Sequence, residues 1–225
     1  MMHIQIYTMQ TPDEAQAVAA LGVDHIGVTP SERGLPGEVS FEAARAIVAA
    51  LPPGAVSVAL SVERDPADVV AMVQAVQPDV LHLCGLDGTF TPAQVGALRE
   101  RLPGVQIMQA VAVGGPEAVQ TAQAYQDVSD FIILDTQAPD IDGIGASGQT
   151  HDWSISRAIV EAVRVPVILA GGLSPENVAS AIQVVQPWAV DSLTHTNRSL
   201  PEGGFRKDLD RVRAFVQAAR GTVAP

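Results

Sequence analysis

A single cysteine, Cys84, is too few for an internal disulfide or a multi-cysteine zinc site. Basic residues are also scarce: 13 Lys+Arg stand against 25 Asp+Glu, a formal net charge of −12 at pH 7. Nucleic-acid binding needs a basic face that releases counterions from phosphates, so this balance argues against it. An anionic membrane surface would repel the chain for the same reason. No apolar run approaches the ~18–20 residues that span a bilayer. The opening Met1-Met2-His3-Ile4-Gln5 has neither the basic segment nor the apolar stretch of a secretory signal. A cytoplasmic protein is expected, with no nucleic-acid or membrane partner. Hydrophobic residues at 47% against 17% charged supply material for one large core.

What the chain does have is a repeated alternation. A β-rich run, His3–Tyr7, leads into Thr11-Pro12-Asp13-Glu14, where Thr11 can cap a helix, Pro12 sits at its first position and Glu14 can close a capping box. Gly22 stops that helix and a strand follows at 25–28. Further strands are expected at 57–62, 80–84, 106–113, 131–135, 167–170 and 188–192. The helices between them fall at 41–51, 65–76, 91–102, 116–125, 154–163 and 174–185, and 207–220 reads as a closing amphipathic helix. Eight such units at roughly 25–30 residues each match a closed (β/α)8 TIM barrel of the α/β class, which runs to ~200–250 residues. The connections leave no room for a linker, so residues 1–225 are expected to form a single domain. An open dinucleotide-binding sheet would carry a glycine-rich turn after its first strand, where this chain has Tyr7-Thr8-Met9-Gln10.

Three stretches carry a more specific signal: Phe131–Thr136, Gly148-Gln149-Thr150-His151-Asp152-Trp153, and Val167–Val178 with its Gly171-Gly172-Leu173-Ser174-Pro175-Glu176-Asn177 core. With Arg206-Lys207-Asp208 and the Val212-Arg213-Ala214-Phe215 that follows, they resemble the phosphoribosylanthranilate isomerase family over nearly the whole chain. That resemblance implies an Amadori rearrangement of a phosphorylated aminosugar, without metal or cofactor, by a monomer or homodimer. The reaction needs an acid for the ring oxygen and a base for the C2′ proton. Asp135, ending the sixth strand, matches the family's acid; the alternative is an aspartate that caps the following loop. Gly171 and Gly172, with Ser174 opening a helix, match a phosphate cradle.

The departures concern the rest of the site. The family's base is a cysteine in a Lys-Ile-Cys-Gly run, and Tyr7 stands there in Gln5-Ile6-Tyr7-Thr8. Tyr7 is either a replacement base, with an unperturbed pKa of ~10, or a plug in the barrel mouth. Cys84, in Leu83-Cys84-Gly85-Leu86 where the family has Leu-His-Gly, is a second candidate base. A family lysine and arginine appear as Gln109 and Ala112, and a Gly-Thr-Gly-Lys run as Ala146-Ser147-Gly148-Gln149. After strand eight, Ser192–Asn197 replaces Val-Ser-Ser-Gly-Val-Glu, leaving Thr194 and His195 as side-chain phosphate donors or as plain surface loop. Arg33 either meets a substrate carboxylate or is a solvated surface residue. His82, Cys84 and His195 form a weaker candidate metal set, with no recognised ligand spacing. The expected functions are therefore an isomerase of a phosphorylated small molecule or a binding barrel that has lost the chemistry.

Overall fold

A computed structural model of the chain describes residues 1–86, 88–136, 143–201 and 203–222. Eight parallel strands close on themselves in sequence order. They are β1 (His3–Ile6), β2 (His25–Val28), β3 (Val56–Ser61), β4 (Val80–Leu83), β5 (Gln106–Ala112), β6 (Phe131–Asp135), β7 (Val167–Leu169) and β8 (Ala189–Ser192). The helices around them are α1 (Pro12–Ala20), α2 (Phe41–Ala49), α3 (Pro66–Val76), α4 (Pro92–Arg101), α5 (Ala118–Tyr125), α6 (Trp153–Ala162), α7 (Val178–Val185) and α8 (Leu209–Gly221). The barrel is the (β/α)8 architecture expected from the alternation.

Closure is made by β1 lying parallel to β8, with His3 opposite Ala189 and Ile6 opposite Ser192. Because side chains alternate along a strand, each strand feeds two cores. Ile4, Ile6, Leu81, Leu134 and Val190 pack outward against the helices. Tyr7, Val58, Met108, Ile133 and Ile168 fill the barrel itself. Gln109 shares its parity with the outward-facing Ile107 and Val111, and its amide donates to the Ala110 carbonyl at 2.9 Å. It therefore stands on the helix side of β5, whereas Ala112 faces the barrel interior.

Local chemistry explains where the helices begin. Thr11 accepts from the Glu14 N–H at 3.2 Å, and Pro12 follows it. The Glu14 carboxylate does not complete the expected box; it accepts from the N–H groups of Gln10 and Lys207, each at 2.7 Å, so it serves two loops instead. Thr91 and Gln94 do form a reciprocal box at α4. Helix α7 begins three residues later than the Ser174 cap predicts. Ser174 N–H donates to Asn177 Oδ1 at 2.8 Å and the Asn177 amide donates to Gly172 O at 3.0 Å, so this stretch is spent shaping the loop. Lys207, expected to open the last helix, lies in β10 (Phe205–Lys207), which pairs antiparallel with β9 (Asn197–Ser199).

At the N-terminal end of the barrel the rings of His3 and Trp188 stack at 4.2 Å, and His25 packs edge-on against Phe131. Burial lowers the His25 imidazole to about 4, with the charge of Asp24 working against that shift. The unfolded chain then binds more protons between the ordinary value of 6.5 and about 4, so this contribution is complete above 6.5 and is lost as the pH falls. Urea denaturation at pH 7 and pH 4.5 should show His25→Gln losing less stability than the native chain, by about 1–3 kcal/mol.

Candidate active site

The C-terminal ends of β6, β7 and β8 gather the principal polar residues of the barrel. One cleft is lined by Asp135, Asp191, Gly171, Gly172, Thr194 and His195, among others. All five of these that sequence reading singled out stand together, and Asp191 joins them. Gly171 and Gly172 have φ of +79° and +59°, a region L side chains rarely adopt. A Cβ on Gly172 would also lie 2.6 Å from the Gln149 carbonyl carbon, so the loop after β6 rests directly on this turn. Across the cleft, Ser192 Oγ donates to Leu173 O at 2.8 Å and fastens the end of β8 to the turn after β7. His195 Nε2 meets Gly148 O at 3.1 Å, so that nitrogen is already engaged.

The two carboxylates are buried and perturbed. Burial raises Asp135 to about 7, although its Oδ1 accepts from the Thr136 N–H at 2.7 Å. Burial, and then the neighbouring charge of Asp135, raises Asp191 to about 8. Two carboxylates in one dry cleft resist double ionisation, so the pair retains a proton to higher pH than a solvated carboxyl does. Asp191 was missed in the sequence because Ala189-Val190-Asp191-Ser192 reads as a buried strand, and only its inward parity aims it at the cleft.

Lys207 was also missed as a site residue. Its buried ammonium donates to the carbonyls of Tyr7 and Leu193 and, at 2.5 Å, to Asn197 Oδ1. It thus joins the end of β1 to the loop after β8 from the far side of the β9–β10 hairpin. Burial lowers its pKa to about 7.

The remaining candidates are elsewhere. The Tyr7 hydroxyl pairs with His82 Nδ1 at 3.0 Å, and Tyr7 is absent from the lining of the carboxylate cleft. Burial, then Asp191 and Cys84, push the phenol well above 10, and burial lowers His82 to about 3. A protonated phenol against a neutral imidazole is a hydrogen-bonded plug and a poor proton acceptor at neutral pH. The Cys84 thiol donates to Ile144 O at 2.9 Å, and burial raises its pKa. It lines an apolar recess with Leu60, Val62, Ile144, Ala146 and Leu193, the last two shared with the cleft. Arg33 pairs with Glu63 at 2.9 Å and lines a separate hollow with Ser40, Phe41 and Asp68. Among the described residues no group of three or more His, Cys, Asp or Glu side chains is placed to hold a metal ion. Residues 137–142 lie outside the described residues; beyond them, the Ile144 and Gly145 N–H groups donate to Cys84 O and Thr136 O, both at 3.0 Å.

A closed parallel barrel with buried acids and a glycine turn at its C-terminal mouth defines the chain as a (β/α)8 barrel with a polar cleft at that mouth. Residues 4–218 match the sequence model of the family described as N-(5'phosphoribosyl)anthranilate (PRA) isomerase, and the chain belongs to that family. It is 36% identical over 222 residues to the N-(5'-phosphoribosyl)anthranilate isomerase of Methanocella arvoryzae, covering 99% of this chain and 100% of that one. The phosphoribosyl anthranilate isomerase structure from Thermotoga maritima superposes with a TM-score of 0.81 at 29% identity, over 98% of this chain and 100% of the other. A phosphoribosyl anthranilate isomerase solved with reduced 1-(o-carboxyphenylamino)-1-deoxyribulose 5-phosphate gives a TM-score of 0.79 at 27% identity, with 98% and 100% coverage.

The plug has a stability consequence. A Cβ on Gly27 would run into the Tyr7 ring, so the phenol and the glycine of β2 fit as a pair. Gly27→Ala alone should cost about 1–3 kcal/mol in urea denaturation, and adding Tyr7→Cys should recover part of that loss. Equal costs in the presence and absence of the ring would show that the two are not coupled.

Proposed function

We propose that this chain isomerises a phosphorylated aminosugar, the Amadori-type aldose-to-ketose conversion for which its relatives are named, with Asp135 as the general acid. The observation that carries this reading is the placing of a buried carboxyl raised to about 7 in the same cleft as the Gly171-Gly172 turn. An acid with a pKa near the working pH is protonated often enough to donate and releases its proton readily. The substrate phosphate is assigned to the backbone of Gly171 and Gly172, with Thr194 and His195 closing its other side. The sugar then extends over Asp135, which protonates the ring oxygen as the C1′–O4′ bond opens. The apolar recess around Leu60 and Ile144 receives the group on the sugar nitrogen, and Arg33, tied to Glu63, stays outside it.

A specific observation favours the silent-barrel reading: Tyr7 fills the place of the family's thiol and gives its hydroxyl to His82. Turnover separates the two. Purified protein should convert N-(5'-phosphoribosyl)anthranilate and restore growth to a tryptophan auxotroph lacking this isomerase. Asp135→Asn should lower kcat about 100-fold or more while KM changes little. The native rate should fall on the alkaline side, where the acid form of Asp135, raised to about 7, is exhausted. Phosphate-dependent binding with no conversion would establish the silent barrel. Gly172→Val should abolish binding of the phosphorylated ligand in calorimetry, since its side chain would displace the Gln149-Thr150 backbone.

A further inference from the structure

We infer that Asp191 is the general base of this chain, removing the C2′ proton in place of the thiolate that is missing from the end of β1. This rests on the isomerase reading above and supplies its second proton-transfer group. Tyr7 and Cys84, the two candidates from sequence, are disposed of by their partners: the phenol is held by His82 and the thiol donates to the Ile144 carbonyl. Among the described residues lining the cleft, the only carboxylates are Asp135 and Asp191. His195, the other titratable side chain there, has Nε2 engaged by Gly148 O.

Asp191 has the position a base requires. It is 6% exposed, and its Oδ1 is buried without a hydrogen-bond partner. A buried carboxyl oxygen left unpaired costs stability and calls for an explanation, which a reacting group provides. In the barrel wall β7 stands between β6 and β8, so the Gly171-Gly172 turn is flanked by Asp135 on one side and Asp191 on the other. A sugar anchored by its phosphate at that turn therefore extends between the two carboxyls. Asp191 also directly precedes Ser192, whose hydroxyl is locked to Leu173 O, so its strand end is rigid.

The charged and titratable groups acting on Asp191 come from several elements. Beyond burial, Asp135 on β6 disfavours its ionisation, while Lys207 on β10 favours it. Burial first, with Asp191 adding to it, raises Tyr7 just after β1 and Cys84 after β4, so both stay protonated. The reacting form of the pair is the one with the shared proton on Asp135 and Asp191 ionised, an arrangement that the charge of Lys207 favours.

The step balances with no co-reactant. Asp135 gives its proton to O4′ as the C1′–O4′ bond breaks, and the nitrogen lone pair forms C1′=N. The Asp191 carboxylate then takes the C2′ proton; the C–H pair becomes C1′=C2′ and the C=N pair returns to nitrogen, giving the enolamine. Asp191 returns its proton to C1′, the C2′ hydroxyl proton passes to Asp135, and the ketose forms with both groups restored.

Deuterium wash-in at C1 of 1-(o-carboxyphenylamino)-1-deoxyribulose 5-phosphate in D2O reads this proton transfer directly, and calorimetry with the reduced analogue reads binding. Asp191→Asn should slow wash-in by about 100-fold or more. Its affinity for the reduced analogue should stay within about threefold of the native chain, which also reports that the variant is folded. Asp191→Glu should restore part of the exchange, and Tyr7→Phe should leave it unchanged. Native-like wash-in in Asp191→Asn would overturn this assignment alone, with the isomerase reading intact. Loss of wash-in in Tyr7→Phe would overturn it independently of how the Asp191 variants fold, by making the phenol the base. A native chain that binds the analogue without any wash-in would remove the isomerase reading and this assignment together.

Discussion

Closure of the β1–β8 seam is the constraint on which the other features depend. The final strand must return to the first in register, so that Gln5 faces Asp191 and Ile6 faces Ser192. Backbone pairing makes the seam, and Lys207 reinforces it at the mouth by donating to carbonyls on both sides. An ammonium is buried there at a considerable desolvation cost, which the converging carbonyls and Asn197 offset. Only after that closure do residues from the sixth, seventh and eighth strands share one cleft.

The electrostatics of the cleft follow from its dryness. The same burial that raises Asp135 and Asp191 also raises Tyr7 and lowers His82, because each shift disfavours a charged form. Its consequences differ with the group. For a carboxyl the shift brings the proton into the range where it can be exchanged at neutral pH, and for a phenol it takes the proton out of that range. Placing a tyrosine just after β1 fills the barrel against Gly27, and the proposed proton transfers fall to the aspartates.

The alternation of short apolar strands with capped helices was legible because each element carries its own local punctuation, as at Thr11-Pro12, Asp65-Pro66 and Thr91-Pro92. Period and capping are properties of a few neighbouring residues, so the barrel, the position of Asp135 at a strand end and the glycine turn after β7 could be read directly. The β9–β10 hairpin was not legible, since Asn197–Ser199 and Phe205–Lys207 are too short to show a period. The late start of α7 was hidden for a related reason: Ser174 has the chemistry of a cap, but Asn177 and Gly172 compete for the same groups.

By itself, the sequence determined the number and order of the elements, the family and the loss of the thiol at position 7. Tertiary structure alone decided which polar side chains share a cavity. Arg33 went to Glu63, Cys84 to the Ile144 carbonyl and Tyr7 to His82, while Asp191, far from Asp135 along the chain, came to lie beside it. The physical reason is that a hydrogen-bond partner and a degree of burial belong to a location in space. Strand parity, register and closure set that location jointly, and no short window of sequence contains them.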